Sequence, residues 1–183
     1  MRYLKEADYV CSTWSGGTTT QVAIAPEGAV YAERDFLWRV SSARVELEES
    51  DFTALPDYWR CIAALEGEMT LTHDGGEAIC IRPFAVHEFD GGVHTHSVGC
   101  CTDFNLMLRK GKCSGSLAAL ELAAGEVREA APKGEWVLYC VSGSADLGEF
   151  ALSASESACG TEAFSLRACE DAVFMLAEIE KNF

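Results

Sequence analysis

The chain has 183 residues, of which 49% are hydrophobic and 23% are charged, and its formal net charge is −15. This length can bury one sizeable core or two smaller ones, and the composition is ordinary for a globular protein. The negative charge argues against nucleic acid and anionic membranes as partners, because both need a basic protein surface. No apolar run reaches the roughly 18 residues that predict a transmembrane helix.

The N-terminal residues Met1–Asp8 lack the apolar core of a signal peptide, so we expect a cytoplasmic protein. The nine cysteines agree with this expectation. Their number is odd, no C-x-x-C pair occurs, and Cys61, Cys80 and Cys140 lie in apolar runs. We therefore expect buried, reduced thiols rather than a disulfide framework.

The first distinctive segment runs from Trp14 to Gln21 and contains Gly16 and Gly17. Two glycines permit a tight turn or a close approach of the backbone to another group. The segment is not a phosphate-binding P-loop, because no lysine follows and a strand, Thr20 to Ala25, is predicted next. It is either a turn that anchors Trp14 in the core or part of a binding site.

A strand is predicted from Phe36 to Val45, and side chains alternate across a strand. One face carries Phe36, Trp38 and Val40, and the other mixes small, polar and charged side chains: Leu37, Arg39, Ser41 and Ala43. A second strand, 103–108, divides in the same way, with Asp103, Asn105 and Met107 on one face. This pattern predicts a barrel with a polar interior pocket. Arg39 and Asp103 either form an interior ion pair or belong to a ligand site, and the two readings are compatible.

The middle of the chain predicts short strands separated by turns. Residues 52–59 are predicted to be irregular, strands follow at 60–65 and 78–81, and Asp74-Gly75-Gly76 has the composition of a hairpin turn. Residues 111–115 are predicted to be a connector, and residues 117–121 fit either a short helix or a strand.

The last third repeats the earlier pattern. Residues 136–147 align with residues 60–71, and Gly143 falls where Gly67 falls. The repeat indicates two similar β units. Few segments predict a helix, and short strands with Gly-rich turns indicate all-β barrels or sandwiches.

Three histidines, His87, His94 and His96, form the one candidate metal site, since His94-Thr95-His96 is an H-x-H motif. A metal site needs three or more ligands with supporting contacts, and no glutamate follows at short range. A surface loop is the favoured interpretation, with a metal site as the alternative. No G-x-S-x-G nucleophile motif is present, and no catalytic residues are predicted.

Several segments in register resemble the HutD/Ves family of the cupin superfamily. They are Trp14-x-Gly16-Gly17-x-Thr19, Trp38-Arg39-Val40-Ser41-x-Ala43-x-Val45, Phe52-x-x-Leu55-Pro56 with Arg60, Leu65-x-Gly67, Phe89-Asp90-Gly91 and Gly99-x-x-x-Asp103-Phe104-Asn105-Leu106-Met107. The resemblance covers about Trp14 to Arg109. It implies two cupin-like jelly-roll barrels in one bacterial, cytoplasmic chain, with residues 1–110 as the first barrel and 111–183 as the second, and with strand exchange between the halves allowed.

The resemblance also implies a function. HutD proteins accompany histidine utilisation and are thought to bind formylglutamate, a pathway intermediate, whereas Ves-type members are linked to stress response. We therefore expect a non-catalytic binding protein for a small acidic metabolite, without a cofactor, and a homodimer is a candidate oligomeric state. The expected ligand-binding residues are Trp14, Gly17, Thr18, Arg39, Ser41, Arg60, Asp103 and Asn105.

Particular roles follow from side-chain chemistry. Arg39 is expected to hold a ligand carboxylate, and Asp103 to orient Arg39 or to accept an amide N–H. Ser41, Thr18 and Asn105 are expected to supply neutral hydrogen bonds. Two alternatives stay open: a metal-dependent cupin enzyme that uses the histidines, and a structural barrel whose interior is filled by its own side chains.

Overall fold

The fold, seen in a computed structural model that describes residues 1–182, consists of β-strands and two single-turn 3-10 helices, Glu6–Asp8 and Tyr31–Glu33. The all-β prediction is confirmed. In chain order the strands are β1 (Arg2–Leu4), β2 (Val10–Trp14), β3 (Gly17–Ala25), β4 (Trp38–Val45), β5 (Glu49–Asp51), β6 (Tyr58–Gly67), β7 (Met69–His73), β8 (Ala78–Ile81), β9 (Val86–Asp90), β10 (Thr95–Val98), β11 (Cys101–Arg109), β12 (Cys113–Leu122), β13 (Val127–Ala130), β14 (Glu135–Ser142), β15 (Ser144–Leu147), β16 (Phe150–Ser153), β17 (Ser157–Gly160), β18 (Phe164–Ala168) and β19 (Ala172–Lys181).

The chain divides into two compact units. The N-terminal unit comprises Val10–Ser114 with Asn182, and the C-terminal unit comprises Met1–Tyr9 and Gly115–Lys181. The sequence-based boundary at residue 110 therefore shifts by a few residues. The first nine residues also join the C-terminal unit, because β1 pairs with β17.

The N-terminal unit is built from two antiparallel sheets. Their strand orders are β2-β3-β4-β11-β6-β9 and β5-β10-β7-β8. Alternation places one set of apolar side chains between strands of both sheets, in a cluster that includes Ile62, Leu71 and Phe89. A second cluster of Phe36, Leu55, Tyr58 and Met107 supports the segment that carries the Tyr31–Glu33 helix.

The C-terminal unit also contains two antiparallel sheets, ordered β1-β17-β14-β19-β12 and β13-β18-β15-β16. The order β12-β19-β14-β17 repeats β4-β11-β6-β9 of the N-terminal unit, and β13-β18-β15-β16 repeats β5-β10-β7-β8. This is the duplication that the sequence pattern predicts.

Two glycines mark equivalent positions of the duplication. Gly67 has φ +73° and Gly143 has φ +74°, and a Cβ atom would lie 2.8 Å from the carbonyl oxygen of Cys100 or 2.4 Å from that of Asp171. Gly67 ends the long strand β6 and Gly143 follows the long strand β14, in each case where the chain crosses to the other sheet. Glycine is required at both places, because side chains rarely adopt this backbone conformation and no space exists for one.

Some local predictions need correction. Residues 117–121 belong to β12, which resolves their ambiguity in favour of strand, and β6 already begins at Tyr58, inside the stretch predicted to be irregular. None of the nine cysteines, all within residues 1–182, forms a disulfide, but the expected burial holds for only four of them: Cys61, Cys101, Cys113 and Cys140. Cys80 is exposed, because it lies on the edge strand β8.

Residues 1–182 include no helix whose length and hydropathy would let it cross a membrane.

Candidate functional site: a polar cavity in the N-terminal unit

A cavity of about 290 Å³ opens on one face of the six-stranded sheet. Its floor is formed by three neighbouring strands, β4, β11 and β6, whose register brings their polar side chains together. Met107 lies opposite Arg39 on β4 and opposite Arg60 on β6, so it separates the two arginines. Two residues earlier on β11, Asn105 lies opposite Ser41, and Asp103 lies opposite Ala43. The period-2 alternation of the strands thus places five polar side chains on one surface.

Arg39 is held by neutral groups. Its exposed fraction is only 5%. Its Nε donates to Oε1 of Gln21 at 2.8 Å, and its Nη1 donates to Oγ of Ser41 at 3.1 Å. The guanidinium also lies 4.2 Å from the ring centre of Tyr31. None of these partners carries a negative charge, and burial lowers the pKa of Arg39.

Arg60 lies between aromatic rings rather than beside an acid. Its guanidinium is 4.7 Å from the ring centre of Phe52 and 5.1 Å from that of Phe89. Within the described residues, its buried Nε has no hydrogen-bond partner. Burial lowers the pKa of Arg60 to about 10, so the group still carries its charge at neutral pH. A buried guanidinium with an unused donor favours an anion from outside the chain.

Asp103 and Asn105 complete the floor. Asp103 is 6% exposed and Asn105 is 3% exposed. Burial raises the pKa of Asp103 to about 7, although the charges of Arg60 and Arg39 and the backbone N–H of Ala43 oppose the shift. Oδ1 of Asn105 is buried without a partner in residues 1–182, so it is an acceptor that a ligand N–H could satisfy.

Of the two alternatives left open for Arg39 and Asp103, the direct ion pair is not found within residues 1–182. Within the part of the chain that the structure describes, Arg39 donates to Gln21 and Ser41, and Asp103 acts on it only through charge at longer range. Alternation and register explain this geometry, because Arg39 lies opposite Met107, four residues along β11 from Asp103.

Six of the eight predicted site residues surround the cavity: Trp14, Arg39, Ser41, Arg60, Asp103 and Asn105. Thr18 does not, because it is exposed on the other face of β3, and its neighbour Thr19 lines the cavity instead. Gly17 does not line the cavity either. A Cβ atom there would lie 1.9 Å from the carbonyl oxygen of Arg44, so Gly17 allows β3 to approach β4 closely.

Three residues that contact the cavity arginines lie outside the sequence-based prediction. Gln21 fixes Arg39, Tyr31 packs against it, and Phe52 packs against Arg60. Gln21 lies on β3, opposite Ser41, and Tyr31 lies in the connection from β3 to β4, so the register of the two strands and the path of that connection bring them to Arg39. Phe52 could have been found, since it belongs to the same family-like segment as Arg60.

The three predicted metal-ligating histidines do not converge. His96 contacts Asp51, with 2.9 Å between Nδ1 and Oδ1, whereas Nε2 of His94 lies 3.6 Å from the same carboxylate. His87 instead meets His73, with 2.9 Å between their Nε2 atoms. No group of three or more His, Cys, Asp or Glu side chains in residues 1–182 is arranged to hold a metal ion. The interpretation of the H-x-H motif as a surface loop is only partly correct, because His96 lies in β10.

The C-terminal unit fills the equivalent surface with apolar side chains. The aligned segments and strand register match Arg60 with Trp136, Asp103 with Phe174 and Asn105 with Leu176. All three apolar residues belong to one buried cluster, in which the ring centres of Trp136 and Phe164 are 4.5 Å apart. The barrel architecture therefore does not require a polar floor.

Comparison with known proteins gives consistent results. The family model described as HutD matches residues 6–176. A conserved protein of unknown function from Pseudomonas aeruginosa is 25% identical, and its structure superposes with a TM-score of 0.83 over 98% of each chain. HutD from Pseudomonas fluorescens, solved in a formate condition, is 20% identical and superposes with a TM-score of 0.80 over 100% of this chain and 99% of that one.

More distant structures share the fold alone. The bacterial pirin YhhW from Escherichia coli, in complex with nickel(II), is 10% identical and gives a TM-score of 0.75 over 97% of each chain. Such neighbours confirm the predicted cupin-type fold. No curated protein sequence matches the chain significantly.

Proposed function

Because this chain belongs to the HutD family, we propose that it is a non-catalytic receptor for a small dianionic metabolite of the formylglutamate type. Binding this metabolite would let the protein modulate histidine utilisation. One observation carries the proposal: Arg60 is 7% exposed, remains charged, and has a buried Nε without a partner in the described chain.

The arrangement of cations favours a ligand with two carboxylates. Arg39 and Arg60 lie on strands two positions apart in the sheet, which separates their backbones by roughly 10 Å. Both side chains belong to the same cavity, and the partners of Arg39 are neutral. A guanidinium binds a carboxylate with two parallel hydrogen bonds, so each arginine is suited to one end of a dicarboxylate.

The polar groups between the arginines favour an acylated amine over a free one. The unpartnered Oδ1 of Asn105 can accept from an amide N–H. A free ammonium group would be repelled by two buried guanidiniums. Formylglutamate combines two carboxylates with one amide N–H, whereas glutamate carries an ammonium group and urocanate has a single carboxylate.

The contrast with the C-terminal unit supports a binding role for the polar floor. Replacing buried charges by apolar residues is often neutral or stabilising, and the C-terminal unit has apolar residues at the matching positions. The N-terminal unit retains Arg60 and Asp103 although its architecture does not need them.

Isothermal titration calorimetry of the wild-type protein with formylglutamate, glutamate and urocanate tests this proposal. Formylglutamate should bind most tightly. The variants Arg39→Ala and Arg60→Ala should each weaken its binding by about 10- to 100-fold, as expected for loss of a charged hydrogen-bonding partner.

Arg44→Ala provides the matched control. Arg44 lies on the same strand as Arg39, but its side chain is exposed and contacts Glu46. This substitution should leave the dissociation constant unchanged. Absence of binding heat with all three compounds, for a protein shown to be folded, would contradict the proposed function.

A further inference from the structure

Asp103 has an unusual position among the groups on the cavity floor. It is 6% exposed, and its carboxylate is in salt-bridge contact with no cation of the described residues, although two guanidiniums share its cavity. Its hydrogen-bond partner is the backbone N–H of Ala43. A buried carboxylate without a contacting cation is a costly arrangement, and protonation removes that cost.

We propose that binding of a dianionic ligand is coupled to the uptake of one proton by Asp103, so that a neutral carboxylic acid faces the bound ligand. This inference rests on the proposed function, because it concerns the protonation state of the same site. It makes Asp103 the residue that permits the cavity to accept a second ligand carboxylate.

Charge balance supports the proposal. The buried groups of the cavity supply two positive charges, from Arg39 and Arg60, and one negative charge when Asp103 is ionised. Asp51 also lines the cavity, but its side chain is 61% exposed to water and contacts His96. A dianion would then bring the total to three negative charges against two positive ones. Protonation of Asp103 leaves two of each sign, which is the balanced arrangement for groups that are all removed from water.

Protonating Asp103 costs little free energy near neutral pH. Burial already raises the pKa of Asp103 to about 7 in the empty cavity, and an incoming dianion can only raise it further. The protonated acid also gains an O–H donor for a ligand oxygen, whereas the carboxylate can only accept.

The other ionisable groups around Asp103 behave differently. Arg60 on β6 keeps its charge, with a pKa of about 10, and burial raises the pKa of Cys101 on β11 to about 12, so that thiol stays neutral. The Tyr31–Glu33 helix contributes Tyr31 to the cavity, with Arg34 stacked on its ring at 3.9 Å. From the other sheet, β5 contributes Asp51 to the cavity lining.

Three histidines near these groups are also ionisable and need controls. Asp51 raises the pKa of the half-buried His96 on β10 by hydrogen bonding. His73 and His87 contact the ring of Phe89, which in turn packs against Arg60, and burial lowers the pKa of both histidines. All three histidines lie outside the cavity lining.

Calorimetry in two buffers of different ionisation enthalpy, HEPES and Tris, measures the proton uptake. At pH 8, wild-type protein should take up close to one proton per formylglutamate bound, and the uptake should fall toward zero at pH 5.5. The affinity should decrease as the pH rises above 7, approaching about tenfold per pH unit. Formylglutamine, which lacks the second carboxylate, should show a smaller uptake.

Two variants assign the proton. Asp103→Asn should bind formylglutamate without proton uptake, and its affinity should not change between pH 6 and 8.5. His96→Gln should keep the proton uptake and the pH dependence of the wild-type protein. If wild-type protein binds at pH 8 without proton uptake, this inference alone is overturned. Uptake of close to one proton per ligand by Asp103→Asn would overturn it in the same way. Absence of any binding would overturn the proposed function as well.

Discussion

Gln21 shows how one neutral side chain sets the electrostatics of the cavity. Its Oε1 accepts from Nε of Arg39 at 2.8 Å, which fixes the guanidinium without cancelling its charge. A carboxylate at the same position would form a buried charged pair with Arg39 and would compete with the ligand for the same cation. The choice of amide over acid therefore leaves Arg39 free to bind an anion.

The substitution Gln21→Glu should weaken formylglutamate binding by at least about tenfold, the size of one charged hydrogen bond. The same change should leave the urea midpoint of unfolding equal or higher, because it adds a cation partner inside the unit. Calorimetry and urea unfolding measured on the same preparation check both results. Tighter binding in the variant would contradict the role assigned to Arg39.

Arg60 illustrates what sequence can and cannot predict at the level of a residue. The family-like segment containing Arg60 identified it as a site residue, and alternation placed Arg39, Ser41, Asp103 and Asn105 on one face. The sequence did not reveal that Phe52 and Phe89 lie against its guanidinium, since that contact depends on how three separate segments fold together. It also did not reveal which donors are left without partners.

Strand β3 shows the same limit at the level of an element. The prediction began this strand at Thr20, whereas pairing with β2 and β4 begins at Gly17. The sequence-based site includes Thr18, whereas Thr19 lies on the cavity face opposite Ala43. Register between strands, which sequence periodicity alone does not give, decides between neighbouring residues.

The close approach of β3 to β4 leads to a stability prediction. Gly17→Ala should destabilise the protein by about 2–4 kcal/mol, because the new Cβ would overlap the carbonyl oxygen of Arg44 in a backbone conformation that disfavours side chains. Gly28→Ala is the control, since Gly28 also has positive φ but no atom within 4 Å of the added Cβ. It should cost only about 1 kcal/mol. Equal urea midpoints for the two variants would argue against the steric explanation.

The contact between β7 and β9 joins the two sheets of the N-terminal unit through His73 and His87. Their ring centres are 5.1 Å apart and their planes differ by 19°, which fits nitrogens that meet end to end through one shared N–H. Nδ1 of His73 also lies 2.9 Å from Oγ1 of Thr95. This arrangement suits neutral rings, and two protonated rings could not keep it.

Acid should therefore destabilise this contact. Burial lowers the pKa of both histidines below the ordinary value near 6.5, so the unfolded chain binds more protons than the folded one as the pH falls below 6.5. The contribution of the pair is fully present above that pH and is lost below it. His87→Phe, which retains an aromatic ring beside Phe89, should reduce the fall in unfolding free energy between pH 7 and pH 5. If the unfolding free energy of the variant decreases between pH 7 and pH 5 as much as that of the wild type, the His73–His87 pair is not the source of the decrease.

Across the whole molecule, one architecture occurs twice with different interiors. The repeated strand orders, together with Gly67 and Gly143, could be predicted from the sequence as a pattern of two β units. The functional difference between the units could not, because it depends on which side chains face inward at matched positions. Trp136 and Phe174 fill the C-terminal unit where Arg60 and Asp103 line a cavity in the other.

The contrast between the two interiors predicts that substitutions on the polar floor can abolish ligand binding without lowering stability. The double variant Arg60→Met with Asp103→Leu should keep or raise the urea midpoint while formylglutamate binding is lost, because it replaces buried charges with apolar groups of similar size. Asp103→Leu alone should be less stable than the double variant, because it keeps the buried charge of Arg60 but removes the attraction of Asp103 for that charge. If the double variant is less stable than Asp103→Leu alone, the polar floor is needed for folding rather than for binding.

The most direct test of the central claim is a crystal structure of the protein grown with formylglutamate. The account predicts a ligand carboxylate within hydrogen-bonding distance of Nε of Arg60, the second carboxylate at Arg39, and the formamide N–H directed at Oδ1 of Asn105. Ligand bound elsewhere on the chain, or a cavity that holds only water at saturating formylglutamate, would contradict it.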